Sequence, residues 1–332
     1  MGRRGRSSIT LGDLVVATIL QAMENDSSRD ALSDHDGLVN GGWFTGQVPR
    51  SYTLRRSMLR EDVRDQLRRV TAEIAKHVYP LERWYAIDST YCKTPYYEEW
   101  ASVTTEDGKS HMQKIKNAKL FIIRGLKTGV PAAVAVTDEY VSDQTMFEPL
   151  FRQMLDKGAI LKGGGVIADA GFNKRQHYDL IAAHGGRAFL DFDSGALPSN
   201  GKFPHYDEQY WLYKAHRDEW ASFFCYRSLI ETTNHALKSI KMILRARRPI
   251  SREIEALALV AYYSLSRLPE LWLKYRIDLP FVDTQALGFI SDAMRPRRRR
   301  AALGPAEMAE ERAGRNRVVA LHRQSLGGIL IA

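Results

Sequence analysis

Two kinds of hydrophobic pattern divide the chain. Up to about residue 79, apolar residues recur at helical spacing. Leu14, Val15, Ile19 and Met23, with Thr18, share one face of a helix over 11–23, which opens at Gly12-Asp13, and Leu67, Val70, Ile74 and Val78 do the same over 61–79. A Gly-rich connection over 37–53 joins them and leads through Pro49 into the run 51–57, a further short helix suited to a groove in a nucleic acid. Its spacing is not diagnostic, and a packing or dimer role for this helical region stays open. Beyond residue 79 the pattern changes to apolar runs of strand length at 84–88, 101–105, 119–126, 131–137, 165–169 and 187–191. Two amphipathic stretches interleave with them. One covers 143–156, where Met146, Phe147, Leu150, Phe151 and Leu155 line a face and Asp143 is the expected N-cap. The other covers 173–184 and is punctuated by Gly185-Gly186. Strands alternating with helices predict an α/β core.

Residues 192–221 read as a loop-rich insertion. It holds Pro198, Pro204, His205, Tyr206, Tyr210, Trp211, Tyr213, His216 and Trp220 among basic residues. Such aromatics either stack on unpaired bases or pack a small lobe, and the sequence leaves both open. From 224 to 238 the chain reads as one long helix, extended by Lys241, Arg245, Arg247 and Arg248 until Pro249 ends it. An apolar helix over 251–268 buttresses it. The tail carries basic runs at 295–300 and around Arg312, Arg315 and Arg317, blocks of a kind that is usually solvated and suits phosphates.

Charge narrows the partner. Of 332 residues, Lys and Arg number 48 against 39 acids, a net charge of +9 that favours a polyanion over a neutral metabolite. No apolar run is long enough to predict a membrane span, and no signal peptide is expected. Cys92 and Cys225 stand far apart, which points to reduced thiols in a cytoplasmic protein and leaves zinc without ligands.

The candidate chemistry lies in three acids. Asp88 and Asp169 each close an apolar strand, and Glu231 sits on the long helix, where Arg227, Glu231, Asn234 and Lys238 fall within about 60° of arc. Taken singly, an Asp at a strand end is a turn former, and an Arg-Glu-Lys series is an ordinary solvated face. Taken together, three carboxylates repel, at about 4 kcal/mol per pair for 4 Å and an effective dielectric near 20, so cations must offset them. Mg²⁺, which binds a few carboxylates plus phosphates, suits the set, and two such ions about 3.5–4 Å apart drive in-line displacement at phosphorus.

These residues carry a resemblance. Arg227-x3-Glu231-x6-Lys238 is similar to the Y-x2-R-x3-E-x6-K signature of the DDE transposases of bacterial and archaeal insertion sequences, with Phe224 where the family has Tyr. The stretches 87–90, 118–155 and 168–172 also resemble the family, and the likeness covers about 10–270. It implies an RNase H-like catalytic domain: a mixed sheet flanked by helices, preceded by an N-terminal helical domain and carrying a small insertion before the last catalytic helix. The expected organisation is a DNA-end-binding domain over 1–78, a catalytic domain over 79–270 with its insertion at about 192–221, and a basic extension over 271–332. By the same resemblance, Asp88, Asp169 and Glu231 are catalytic and hold two Mg²⁺ ions, with Mn²⁺ able to substitute. Arg227, Lys238, Asn234, Lys241, Arg245 and Phe224 face DNA. The expected reaction is hydrolysis at the element's ends followed by 3′-hydroxyl strand transfer into target DNA. It would be carried out by a homodimer on DNA, in the cytoplasm with the nucleoid. The alternatives are a metal-dependent nuclease without joining activity and an inactive DNA-binding relic.

Overall fold

The structure, a computed structural model, describes residues 9–24, 44, 47–97, 99–104, 107–240 and 243–278. Most of the Gly-rich connection, Lys241 and the basic runs beyond 278 lie outside the described residues. The chain divides into two compact units, Met1–Val70 with Ala261–Ala332, and Thr71–Val260.

In the first unit, helix α1 (Leu11–Glu24) begins in a reciprocal cap. The Asp13 N–H donates to Thr10 Oγ1 at 3.1 Å, and the Thr10 N–H donates to Asp13 Oδ2 at 3.1 Å. A short helix, α2 (Ser51–Ser57), packs against α1, and α3 (Glu61–Val78), whose residues from Thr71 on belong to the second unit, buries the predicted Leu67, Val70, Ile74 and Val78. Among the described residues, α1 and α3 are helices, as the 3.6-residue spacing predicts, and α2 covers the run 51–57.

The second unit is α/β, built on a mixed five-stranded sheet flanked by helices. Its strands are β1 (Trp84–Lys93), β4 (Asn117–Gly125), β5 (Pro131–Asp138), β6 (Gly165–Ala168) and β7 (Arg187–Leu190), in the order β5-β4-β1-β6-β7. The β5-β4-β1 side is antiparallel and the β1-β6-β7 side parallel. Gly165 lets β6 and β7 close up, since a Cβ there would stand 1.9 Å from the Arg187 carbonyl oxygen. Helix α4 (Asp143–Asp156) packs on β4 and β5, and α5 (Arg175–Ala183) on β7.

Several elements differ from the sequence expectation. β1 continues five residues past Asp88, because its antiparallel pairing with β4 persists to Lys93 and Asn117 after its parallel partner β6 has ended. Asp88 therefore lies two residues past the last pair of the parallel ladder and inside the strand. An unforeseen strand, β3 (Ser110–Lys114), joins β2 (Trp100–Thr104) in a separate hairpin. Its polar residues gave no apolar run to read. The 192–221 region is mostly helical: α6 (Pro204–Ala215), with Pro204 in its first turn, and α7 (Arg217–Phe224). Tyr206, Tyr210 and Trp220 are buried around Phe192, so these three aromatics pack the lobe, whereas Trp211 is 57% exposed. Ser142, not Asp143, caps α4, accepting from the Thr145 N–H. The long helix breaks into α7, a 3₁₀ turn (Cys225–Arg227) and α8 (Ser228–Ile240). Pro249 opens helix α9 (Pro249–Ser266) instead of ending its predecessor, and leaves Arg245–Arg248 in a loop.

Candidate active site

The parallel ladder brings the two aspartates level. Trp84, Tyr85 and Ala86 pair with Gly165, Val166 and Ile167, and the same register carried two residues on sets Asp88 beside Asp169. Neighbouring strands lie about 4.8 Å apart, and paired residues of a parallel ladder share a face. Asp169 follows β6 directly and leads a 3₁₀ turn (Ala170–Phe172).

Helix α8 packs along β1 and adds Glu231 and Asn234. Arg124 of β4 anchors the helix from below. Its buried guanidinium donates to the Leu229 carbonyl and to Thr233 Oγ1, each at 2.7 Å. Arg227, in the turn before α8, ties two acids together, with Nη1 2.7 Å from Glu231 Oε1 and Nη2 3.8 Å from Asp169 Oδ2. Asn234 is 7% exposed and donates from Nδ2 to Asp88 Oδ2 at 2.9 Å, while the Ser89 N–H donates to Asp88 Oδ1 at 2.9 Å. Arg227 thus links Asp169 with Glu231, and Asn234, on the same helix as Glu231, holds Asp88 on the neighbouring strand.

Two residues that the sequence reading did not place in the site adjoin it. Lys119 of β4, 5% exposed, pairs with Asp143 Oδ1 at 2.8 Å and lies over the rings of Tyr91 and Phe121. Asp143 in turn crowds Asp169 around Gly171. A Cβ on that glycine would stand 2.8 Å from Asp143 Oδ2 and 3.2 Å from Asp169 Oδ1. The signal available was a single lysine inside an apolar strand, which needs a buried partner. Phe224 stacks on Trp220, ring centroids 4.5 Å apart, so its ring is engaged in the aromatic lobe. Lys238 is half-buried beyond Asn234 and Arg245 is exposed in the loop.

Burial dominates the electrostatics of the two aspartates. Burial raises the Asp88 carboxyl from 3.8 to about 6; the Ser89 N–H pulls it back, Asp169 and Glu231 add to the rise, and Arg227 opposes it. Burial also raises Asp169, with Arg227 opposing the shift and Asp143 adding to it. Among the described residues, no three carboxylate, thiolate or imidazole groups stand close enough to close on a metal ion. Arg227 occupies the position between Asp169 and Glu231 that a cation would take. The donor set nevertheless fits a hard divalent ion. It consists of carboxylates and one carboxamide, and the Asn234 Oδ1 is buried with no hydrogen-bond partner.

No helix among the described residues is long and apolar enough to cross a membrane. A family model described as Transposase DDE domain matches residues 79–265, more than half of the chain. No curated protein matches it.

Proposed function

The chain belongs to the transposase DDE domain family, and from that membership we propose that Asp88, Asp169 and Glu231 are its catalytic acids, acting on the phosphodiesters at the ends of an insertion sequence. Members of this family bind DNA and use divalent metal ions. For this chain the reading is two Mg²⁺ ions, with Mn²⁺ able to replace them, held by the three acids. When bound, the ions activate the attacking oxygen and offset charge on the leaving one. The observation that carries the reading is the parallel register of β1 with β6, which when continued two residues past Ala86 and Ile167 puts Asp88 level with Asp169, together with the Arg227 guanidinium that ties Asp169 to Glu231.

Each neighbouring group then has a task. Asn234 orients the Asp88 carboxylate through its amide N–H. Arg227 offsets the charge of Asp169 and Glu231, and were the three acids to hold metal ions, its fork would be free to take a DNA phosphate. Lys238 neutralises the next phosphate, and Lys241 and Arg245 continue the cationic track. The Phe224 ring supports the wall of the aromatic lobe on the DNA side.

The chemistry is two displacements at phosphorus. In the first, a water oxygen bonds to phosphorus as the water gives up a proton, the bond to the 3′-oxygen of the element's end breaks, that oxygen takes up a proton to become a 3′-hydroxyl, and the phosphate stays on the 5′ end of the flanking strand. In the second, that freed 3′-hydroxyl attacks a target phosphodiester, joining element to target and releasing the target's own 3′-hydroxyl. Neither step forms a covalent enzyme intermediate. Both ends must react together, so the working form is a homodimer on DNA, in the cytoplasm with the nucleoid. The helical region over 1–78 recognises the ends, 79–270 is catalytic, and 271–332 adds basic charge.

The test is incubation with Mg²⁺ and a duplex bearing the flanks of the gene's own element. Cleavage with a strand-transfer product supports a transposase, cleavage alone supports a nuclease, and binding without cleavage supports a relic.

A further inference from the structure

The loop that follows the catalytic helix is fixed at both ends. The Leu244 N–H donates to the Lys93 carbonyl at 2.9 Å, and Ile243 forms a parallel bridge with Lys93, so the chain leaves α8 as an added rung on β1. Leu244 is fully buried with Cys92, Ala118 and Ala256. One residue later the Arg245 and Ala246 N–H groups donate to the two carboxylate oxygens of Glu255, at 3.0 and 2.9 Å. Glu255 lies on α9 and is 6% exposed. Beside it Arg252, 7% exposed, lies 4.1 Å from the centroid of the Tyr97 ring and locks the same corner. The side chains of Arg245, Arg247 and Arg248 all point to solvent, and none pairs with a carboxylate among the described residues. A buried acid therefore shapes a loop that displays three free cations.

The start of the loop is bridged to Lys93 of β1, the strand that carries Asp88. Lys93 lies five residues beyond Asp88, which is about 17 Å at roughly 3.3 Å per residue. Duplex DNA rises about 3.4 Å per base pair, so a duplex lying along β1 would cover this span in about five base pairs.

We propose that the loop Arg245–Arg248, held in shape by Glu255, binds the phosphates of the duplex about five base pairs from the bond that is cut. Glu255 is its positioning residue. The proposal rests on the assignment of Asp88, Asp169 and Glu231 for its distance from the cut, but its binding part needs no catalysis. It carries an unusual sign. Removing an acid next to a DNA-binding loop strengthens polyanion binding if only charge matters, because repulsion is lost. If Glu255 shapes the loop, removing it weakens binding, because the three arginines lose their common geometry.

The experiment is fluorescence anisotropy of the full chain with a labelled random-sequence duplex in EDTA, across a salt series. Replacing Arg245, Arg247 and Arg248 together by Ala is expected to reduce the slope of log affinity against log salt by about 2–3, at about 0.9 per phosphate contact. Glu255→Ala is expected to weaken binding and reduce the slope, and Glu255→Gln, which keeps one acceptor oxygen, to fall between. Phosphate ethylation interference on a duplex bearing the element's end should then map the loop's contacts about five base pairs from the cleavage position. An unchanged slope in the arginine variant overturns the proposal, and tighter binding by Glu255→Ala overturns the positioning role. A wild-type chain that binds no duplex overturns both this proposal and the functional reading, whereas wild-type binding with unaffected variants overturns this proposal alone. Should Glu255→Ala fail to fold, the exposed arginine variant decides the matter.

Discussion

Asp88→Asn is expected to make the metal-free protein more stable at neutral pH while removing its activity. The ionised Asp88 side chain is held where burial, Asp169 and Glu231 all disfavour its charge, raising its pKa from 3.8 to about 6. Each tenfold change in proton affinity is worth about 1.4 kcal/mol, so the charge costs the fold up to about 3 kcal/mol once it is ionised in both states. The sign follows from the folded value lying above the unfolded one. The favourable protonated form is fully present below 3.8, and its contribution is lost as pH rises through about 6. Asparagine never ionises and keeps the acceptor for the Ser89 N–H. Its new N–H₂ meets Asn234, whose buried, unpartnered Oδ1 accepts it once that amide flips. Thermal melts in EDTA should show the variant more stable than wild type at neutral pH by several degrees, at about 2–4 °C per kcal/mol for a domain of this size. The gain should vanish below the ordinary carboxyl value. Added Mg²⁺ should raise the melting temperature of the wild type and not of the variant. Equal or lower stability of the variant at neutral pH, or a gain that persists in acid, would refute the claim that burial disfavours the Asp88 charge.

Three further outcomes follow from neighbouring contacts. Asp169→Ala and Glu231→Ala should each lower cleavage by about 10³-fold or more, a loss of roughly 4 kcal/mol in transition-state stabilisation, with the far-UV spectrum unchanged; substantial residual cleavage in a folded variant would remove that acid from the mechanism. Asn234→Ala should raise the Mn²⁺ concentration needed for half-saturation by about 10–100-fold, the usual effect of losing a residue that orients a metal ligand, and calorimetric titration showing unaltered affinity would return Asn234 to a purely packing role. Lys119→Met should destabilise the fold by about 3 kcal/mol, because it strands Asp143 beside Asp169, and the double variant with Asp143→Asn should recover most of the loss; urea melts in which the two changes simply add would show that the pair is not coupled.

How much of this could be read from the sequence depended on whether the signal was local. Asp88 and Asp169 stood out because each follows a run of strand-forming residues, and the register of β1 with β6 then brings them level. The extent of α4 was legible from its apolar spacing alone. What the sequence did not show were the consequences of tertiary pairing. The continuation of β1 to Lys93 depends on β4, and the polar β3 depends on β2. Asn234 was read with Glu231 and Lys238 as part of a stripe facing DNA, whereas the helix buries it on one side with Ile230, Thr233 and Leu237. An asparagine is tolerated there because Asp88 supplies an acceptor at 2.9 Å. The ends of the helices were lost to Pro249, whose fixed φ stops one helix or starts the next equally well. The Lys119–Asp143 pair joins residues on separate elements, so no spacing rule could reveal it.

The account stands or falls on whether the three acids share cations, and the most direct measurement is anomalous scattering from Mn²⁺ in crystals of the protein grown with DNA ends. The prediction is density about 2.1 Å from carboxylate oxygens of Asp88 and Asp169, with Glu231 turned in to the same cluster and Arg227 moved from Glu231 to a phosphate. Manganese bound elsewhere, with Arg227 still bridging Asp169 and Glu231, would contradict it.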